Sequence, residues 1–259
     1  MSQVEVHHES GVARVTMDRP PLNVIDLGFA RELSTAIEDL YRHPGVDVVV
    51  LAARGKAFCA GVDVRDHLPD RGAEMLREFH RVCFALLELE VPVVAAVQGA
   101  ALGGGCELTL VCDLVVASER ATFGQPEIKL AVFPPLAAAA LPQMVPGHIA
   151  SEMILTGRTL TAVEARQVGL VNRVAGPDQF DATVETLVDE LTALSPESLR
   201  LTKHALRLAR RRPHPAEVDA AERYYVEHLM RTPDAIEGLQ SFIERRTPAW
   251  STRAKVTRT

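Results

Sequence analysis

Apolar and polar positions follow a period of two at the start of the chain, where residues 3–8 and 12–17 flank Glu9-Ser10-Gly11 and predict a hairpin. The period then lengthens, and an apolar stripe over residues 27–41 predicts an amphipathic helix. A continuous apolar run over residues 46–53 reads as a buried strand, followed by a helix over 73–89 and a strand over 91–97. Short strands alternating with helices imply an α/β fold. After about Ser195 the sequence becomes helical and charged, broken at Pro213 and Pro215, which divides the chain into a core over 1–195 and a helical C-terminal region over 196–259.

Composition narrows the function classes. The 28 basic and 34 acidic side chains give a net charge of −6, which offers nucleic acid no general attraction but leaves room for a local basic site. The first residues lack a cationic segment followed by an apolar one, and the longest apolar runs are broken by Gly, Pro or charge before they reach membrane-spanning length. A cytoplasmic protein with no membrane partner is the expectation. Cys59, Cys83, Cys106 and Cys112 show no Cys-x-x-Cys spacing and read as buried thiols, and the nine histidines form no His-Glu-x-x-His, so no metal site is expected. Arg207 with Arg210, Arg211 and Arg212 reads as a solvated helix end, where cations complement the dipole.

The candidate chemistry lies in three segments. In the first, Gly103, Gly104 and Gly105 interrupt an apolar run just before Glu107, and three glycines at a helix start imply backbone that a ligand or another strand approaches closely. The N–H groups there carry partial positive charge, suited to an oxygen that becomes negative during reaction. The second, from Arg54 to Asp63, follows the buried strand, and the small Ala60 and Gly61 leave space beside Val62, whose N–H supplies a second donor. In the third, Pro126 fixes a turn that presents Glu127. The glycines do not form Gly-x-Gly-x-x-Gly and no acidic residue follows at the required distance, which argues against a dinucleotide-binding fold.

These segments, in this order and spacing, resemble the crotonase family, the enoyl-CoA hydratase/isomerase superfamily, over nearly the full chain. The resemblance implies a spiral of repeated β-β-α turns with the C-terminal helices serving trimerisation, as a homotrimer or dimer of trimers. It also implies an enoyl-CoA hydratase acting on an acyl-CoA thioester, in which coenzyme A is part of the substrate and no separate cofactor is needed. Val62 and Gly104 then match the oxyanion-hole donors, Glu107 the residue that deprotonates water, and Glu127 the donor of a proton to C2. Ala60 matches a position whose carbonyl meets the adenine amino group, while Leu22, Gly61, Asp63 and Val64 match the coenzyme A groove. Phe242 and Arg245 match residues that reach the nucleotide end from an adjacent subunit; the alternative for these two is a core contact and a surface charge. The chain departs from many family hydratases at Phe133-Pro134-Pro135, where they carry glycines, and this form is similar to that of hydratases acting on cyclic dienoyl-CoA thioesters. An enoyl-CoA isomerase, which needs Glu127 but not water activation by Glu107, and a catalytically silent binding relative are the other readings.

Overall fold

The computed structural model describes residues 2–43, 45–209 and 215–250. The expected hairpin forms, with β1 (Val4–Glu9) antiparallel to β2 (Val12–Met17). In β2 the alternate residues Ala13, Val15 and Met17 are buried, whereas β1 is an edge strand exposed beyond Val4, so both His7 and His8 face outward. Helix α1 (Leu27–Asp39) is shorter than its apolar stripe. Asp26 caps its start by accepting from Phe29 N at 2.9 Å, and a 3-10 turn over Leu40–Arg42 closes it.

From here the chain repeats one unit. β3 (Val48–Ala53) enters a first sheet, β4 (Ala57–Cys59) a second, and helix α2 (Gly72–Glu88) leads back. The next turn is β5 (Val93–Val97), β6 (Ala100–Leu102) and α3 (Gly104–Leu110), and the third is β7 (Leu114–Ser118), β8 (Thr122–Gly124) and α4 (Pro135–Met144). The odd-numbered strands of these turns pair in parallel with one another in the first sheet, of order β1-β2-β3-β5-β7-β10, which β10 (Arg173–Ala175) closes. The even-numbered ones form the second sheet, β4-β6-β8-β9, in which β9 (Thr159–Thr161) runs antiparallel. This is the spiral of β-β-α turns that the resemblance implies.

The buried strands are apolar at successive positions because both faces of the first sheet are covered. Val49, Leu51, Val93 and Ala95 belong to the main core together with Leu33 of α1 and Val82 of α2. On the other face Val48, Val50, Val94 and Ala96 meet Phe180, Val184 and Leu187 of a later helix over Phe180–Thr192. Two expected strand starts move inward, to Val48 and Val93. The second shift follows from Pro92, which has no N–H to donate and enters the ladder only as an acceptor, from Val49 N at 2.9 Å. The glycine-led helix runs from Gly104 to Leu110. All four cysteines are free and buried. Among the described residues no helix is long and apolar enough to cross a membrane.

Numbered in chain order, the helix over Phe180–Thr192 is α7, after α5 (Gly147–Thr156) and α6 (Ala162–Gln167), and the tail adds α8 (Pro196–Ala209), α9 (Pro215–Glu227) and α10 (Pro233–Ile243). The tail is bolted to the core by charge as well as by apolar packing. Lys203 of α8 is buried, pairs with Asp113 at 2.6 Å and donates to Val91 O at 2.7 Å, while Asp113 also accepts from Val93 N at 2.9 Å. Arg207, expected to be a solvated helix end, instead donates to Leu89 O at 2.6 Å, because α2 ends there with carbonyls that need a donor. Arg210, Arg211 and Arg212 lie outside the described residues. Removing one partner of a buried pair strands the other charge, so Lys203→Ala should lower stability by about 3–5 kcal/mol. Urea denaturation checks this, and a loss under about 1 kcal/mol would show that the pair is solvated.

Candidate active site

The site lies where the first turn of α3 meets the bends after β4 and β8. Val62 stands opposite Ile25 in an isolated parallel bridge whose two hydrogen bonds use Gly61 O (2.9 Å) and Asp63 N (2.8 Å). Alternation along the backbone turns the Val62 N–H the other way, and it donates to no protein acceptor among the described residues. Gly104 is the first residue of α3, so its N–H likewise has no intrahelical acceptor. The two donors are neighbours: a Cβ built on Gly61 would stand 3.9 Å from Gly104 N, and one on Gly104 would lie 2.9 Å from Val62 Cγ2. The Val62 and Gly104 N–H groups are thus neighbouring backbone donors without a protein acceptor among the described residues.

Each glycine here has its own reason. Gly61 at φ +106° and Gly103 at φ +52° hold conformations that a side chain would strain, and a Cβ on Gly103 would also collide with Glu127 Oε1. Gly105 packs against the Cys59 backbone, and Gly104 faces the Phe79 ring, so both mark close approach.

Glu107 and Glu127 converge on this place from different elements. Glu107, on α3, is 4% exposed and its Oε1 accepts from Ala137 N at 2.8 Å. Pro134 and Pro135 carry no N–H, so the first donors that α4 can offer are Leu136 and Ala137, and Glu107 takes up that helix start. Glu127 sits in a 3-10 turn over Pro126–Leu130, with Oε2 buried and unpartnered. Burial raises the proton affinity of both carboxyls. For Glu107 this is opposed by the nearby His80 ring and by the Ala137 and Leu136 N–H groups. Glu127, with the Glu107 charge added against it, is pushed up to about 8. Glu127 therefore keeps its proton near neutrality.

Sequence reasoning missed the groups that surround these carboxyls. His80 of α2 is buried, with Nδ1 3.2 Å from Glu222 Oε2 of α9, and Glu222 opens on a surface cavity of about 600 Å³. Tyr225, also on α9, is buried with its ring edge-on to Phe133, centroids 5.5 Å apart. The hint in the sequence was slight: Tyr224-Tyr225 is an aromatic pair in a helix of mixed polar and apolar residues.

The residues matched to the coenzyme A groove fall in two places. Leu22 and Asp63 line a cleft of about 490 Å³ with Arg19 and Arg65, and Ala60 N donates to Leu22 O at 3.0 Å beside it. The Asp63 carboxylate is occupied by Arg65 and by the 3-10 turn that begins at Val64, so what it offers a ligand is backbone. Phe242 and Arg245 stand apart at the end of α10. Phe242 is 57% exposed, which removes the core-contact alternative, and Arg245 makes no ion pair among the described residues.

A carboxyl whose proton affinity is raised on folding costs stability once the unfolded chain has ionised. Below about pH 4.5 both states hold the Glu127 proton; between there and about 8 only the folded state does, so stability falls as pH rises through that window. Glu127→Gln should remove this slope, and denaturation midpoints of the two proteins at pH 5, 6.5 and 8 check it. Parallel curves would mean that Glu127 ionises normally.

Comparison with known proteins adds the family. The model of the enoyl-CoA hydratase/isomerase family matches residues 7–253. The chain is 32% identical over 251 residues to cyclohexa-1,5-dienecarbonyl-CoA hydratase of Thauera aromatica, covering 97% of each. It is 37% identical over 261 residues to a putative enoyl-CoA hydratase of Thermus thermophilus, covering 96% of this chain and 99% of the other. The crystal structure of an enoyl-CoA hydratase from Mycobacterium avium subsp. paratuberculosis superposes with a TM-score of 0.84 at 31% identity, covering 96% of this chain and 98% of that one. With sequence and fold matched almost end to end, the chain belongs to the enoyl-CoA hydratase/isomerase family.

Proposed function

We propose that this enoyl-CoA hydratase adds water across the 2,3-double bond of its thioester by dividing the proton work between Glu107 and Glu127. The observation that carries this is the convergence of two carboxyls, from different elements and in unequal hydrogen-bonding surroundings, beside two uncommitted backbone donors. The thioester oxygen accepts from Val62 and Gly104 N–H, which stabilise it as negative charge moves there from the attacked alkene. One such donor is typically worth about 100- to 1000-fold in turnover. Glu107, ionised and oriented by Ala137 N–H, takes a proton from water as its oxygen bonds to C3. Glu127, the carboxyl that retains its proton near neutrality, delivers it to C2. An isomerase would use Glu127 without needing a second carboxylate for water, and the separate electrostatic settings of the two groups favour hydration.

A second reading concerns the acyl group. Phe133-Pro134-Pro135 forms a stiff wall beside both carboxyls, and the Thauera relative is named for a cyclic dienoyl-CoA. Both support a cyclic thioester as substrate. Coenzyme A would lie along the cleft at Leu22, Ala60, Gly61, Asp63 and Val64, with Phe242 and Arg245 serving a neighbouring copy in a trimer or dimer of trimers. Their exposure, with Leu201 at 63% exposed on α8, supports such assembly. Light scattering checks it, and an active monomer would rule it out.

Linear, branched and cyclic enoyl-CoA thioesters should be compared by loss of the conjugated enoyl absorbance. Glu107→Gln and Glu127→Gln should each lower hydration about 100- to 10,000-fold while acyl-CoA affinity stays within a few-fold. Near-normal turnover in either variant removes that residue from the mechanism, and a cyclic substrate no better than a linear one removes the second reading.

A further inference from the structure

We infer that Asn23 is a positioning residue for coenzyme A, because its buried amide holds in place the loop that forms one wall of the cleft proposed above for the carrier. The inference rests on that placement of the carrier. Arg19, Pro20, Pro21 and Leu22 line the cleft together with Asp63 and Arg65. The chain enters and leaves this loop at one point. Asn23 N donates to Arg19 O at 2.8 Å, and Arg19 N donates back to Asn23 Oδ1 at 2.7 Å, so two bonds close the neck and leave Pro20, Pro21 and Leu22 as the tip. Asn23 itself is 2% exposed and lies behind the lining, where it acts on a ligand only through its neighbours.

The other end of the amide ties this neck to the core. Asn23 Nδ2 donates to Arg54 O and to Ala57 O, each at 2.9 Å, and so spends both protons on the turn that leads from β3 into β4. Few residue types meet these demands together. Aspartate has no protons for the two carbonyls, and the backbone at φ +52° suits asparagine and glycine better than other side chains. Without the amide the tip rests on the bond from Ala60 N to Leu22 O at 3.0 Å, and the ligand must supply the missing order. The oxyanion donors do not share this dependence. Ile25 pairs with Gly61 and Asp63 through backbone alone, at 2.9 and 2.8 Å, and that bridge sets the direction of the Val62 N–H. Loss of the Asn23 amide therefore loosens the carrier cleft and spares the chemical step.

Asn23→Gly deletes the amide and keeps a residue at ease at φ +52°, while Asn23→Asp keeps the acceptor for Arg19 N–H and loses the two donors. In the full-length enzyme each should raise the Kd of coenzyme A, by isothermal titration, and the KM of a linear 2-enoyl-CoA about 10- to 100-fold, with kcat within a few-fold. A general folding defect would lower binding stoichiometry and kcat together and leave Kd unchanged. That result, or an unchanged Kd in a folded Asn23→Gly, overturns the inference. The unaltered enzyme gives a second test that needs no variant: the Arg19 and Asn23 amide protons should resist hydrogen exchange as well without coenzyme A as with it. Protection that appears only with the ligand overturns the inference as well. Leu22→Glu sets a carboxylate in the cleft against a phosphorylated carrier and leaves Asn23 in place, so it too should raise Kd. If it does not, the placement of the carrier fails, and with it the ground on which the inference stands.

Discussion

Two carboxyls buried within electrostatic reach of each other are the constraint to which the rest of this architecture answers. Left alone, such a pair would take up protons on both sides and lose the asymmetry that acid–base chemistry requires. The fold breaks the symmetry by unequal solvation. Glu107 receives the first free N–H groups of α4 and the His80 ring, whereas Glu127 has one oxygen against the Gly103 backbone and the other against nothing. The prolines at 134 and 135 contribute to this difference. They withhold their own N–H groups and start α4 where its first donors meet Glu107.

The β-β-α spiral explains how groups so distant in sequence meet. Each turn leaves the second sheet at a bend: the first delivers Val62, the second Gly103, Gly104 and Glu107, and the third Glu127. Because β4, β6 and β8 are parallel neighbours, their C-terminal ends lie side by side and present successive bends along one edge. The glycines permit that edge to close up, since Gly105 against Cys59 and Gly103 against Glu127 leave no volume for a side chain. Site and fold are thus specified by the same residues.

Period and composition made the first sheet and the long helices legible, because β2 alternates, β3 and β5 are continuously apolar, and α1 and α2 carry clear stripes. The second sheet was not legible in this way. Its strands are three residues long, too short for any period to register, and they were reached through family resemblance alone. The backbone donors and both carboxyls were readable because glycine runs and a Pro-Glu turn mark the backbone locally. His80, Glu222 and Tyr225 were not, since each lies in an ordinary helical stretch and acquires its role only when α9 folds over α2 and α4. Arg207 failed for a related reason: a cation near a helix end reads the same whether water or the last carbonyl of another helix receives it.

α9 brings two of these groups in together. Glu222 and Tyr225 are three residues apart, and so share one helical face, the first reaching His80 and the second packing edge-on against Phe133. Buried polar atoms with no hydrogen-bond partner include His80 Nε2, both amide atoms of the fully buried Gln125, Glu127 Oε2 and the Tyr225 hydroxyl, as well as Glu78 Oε2 and Gln98 Oε1. A core selected for stability alone would have paired or removed them. The tail adds Tyr225 to that set and supplies Glu222 as the partner of His80 Nδ1, so it contributes polar groups as well as apolar cover. The buried Lys203–Asp113 pair and the cluster of Met75, Leu76, Tyr225 and Leu239 then hold the tail against the core. The C-terminal helices thereby reach the helices that border the proposed site, independently of any part they play between subunits.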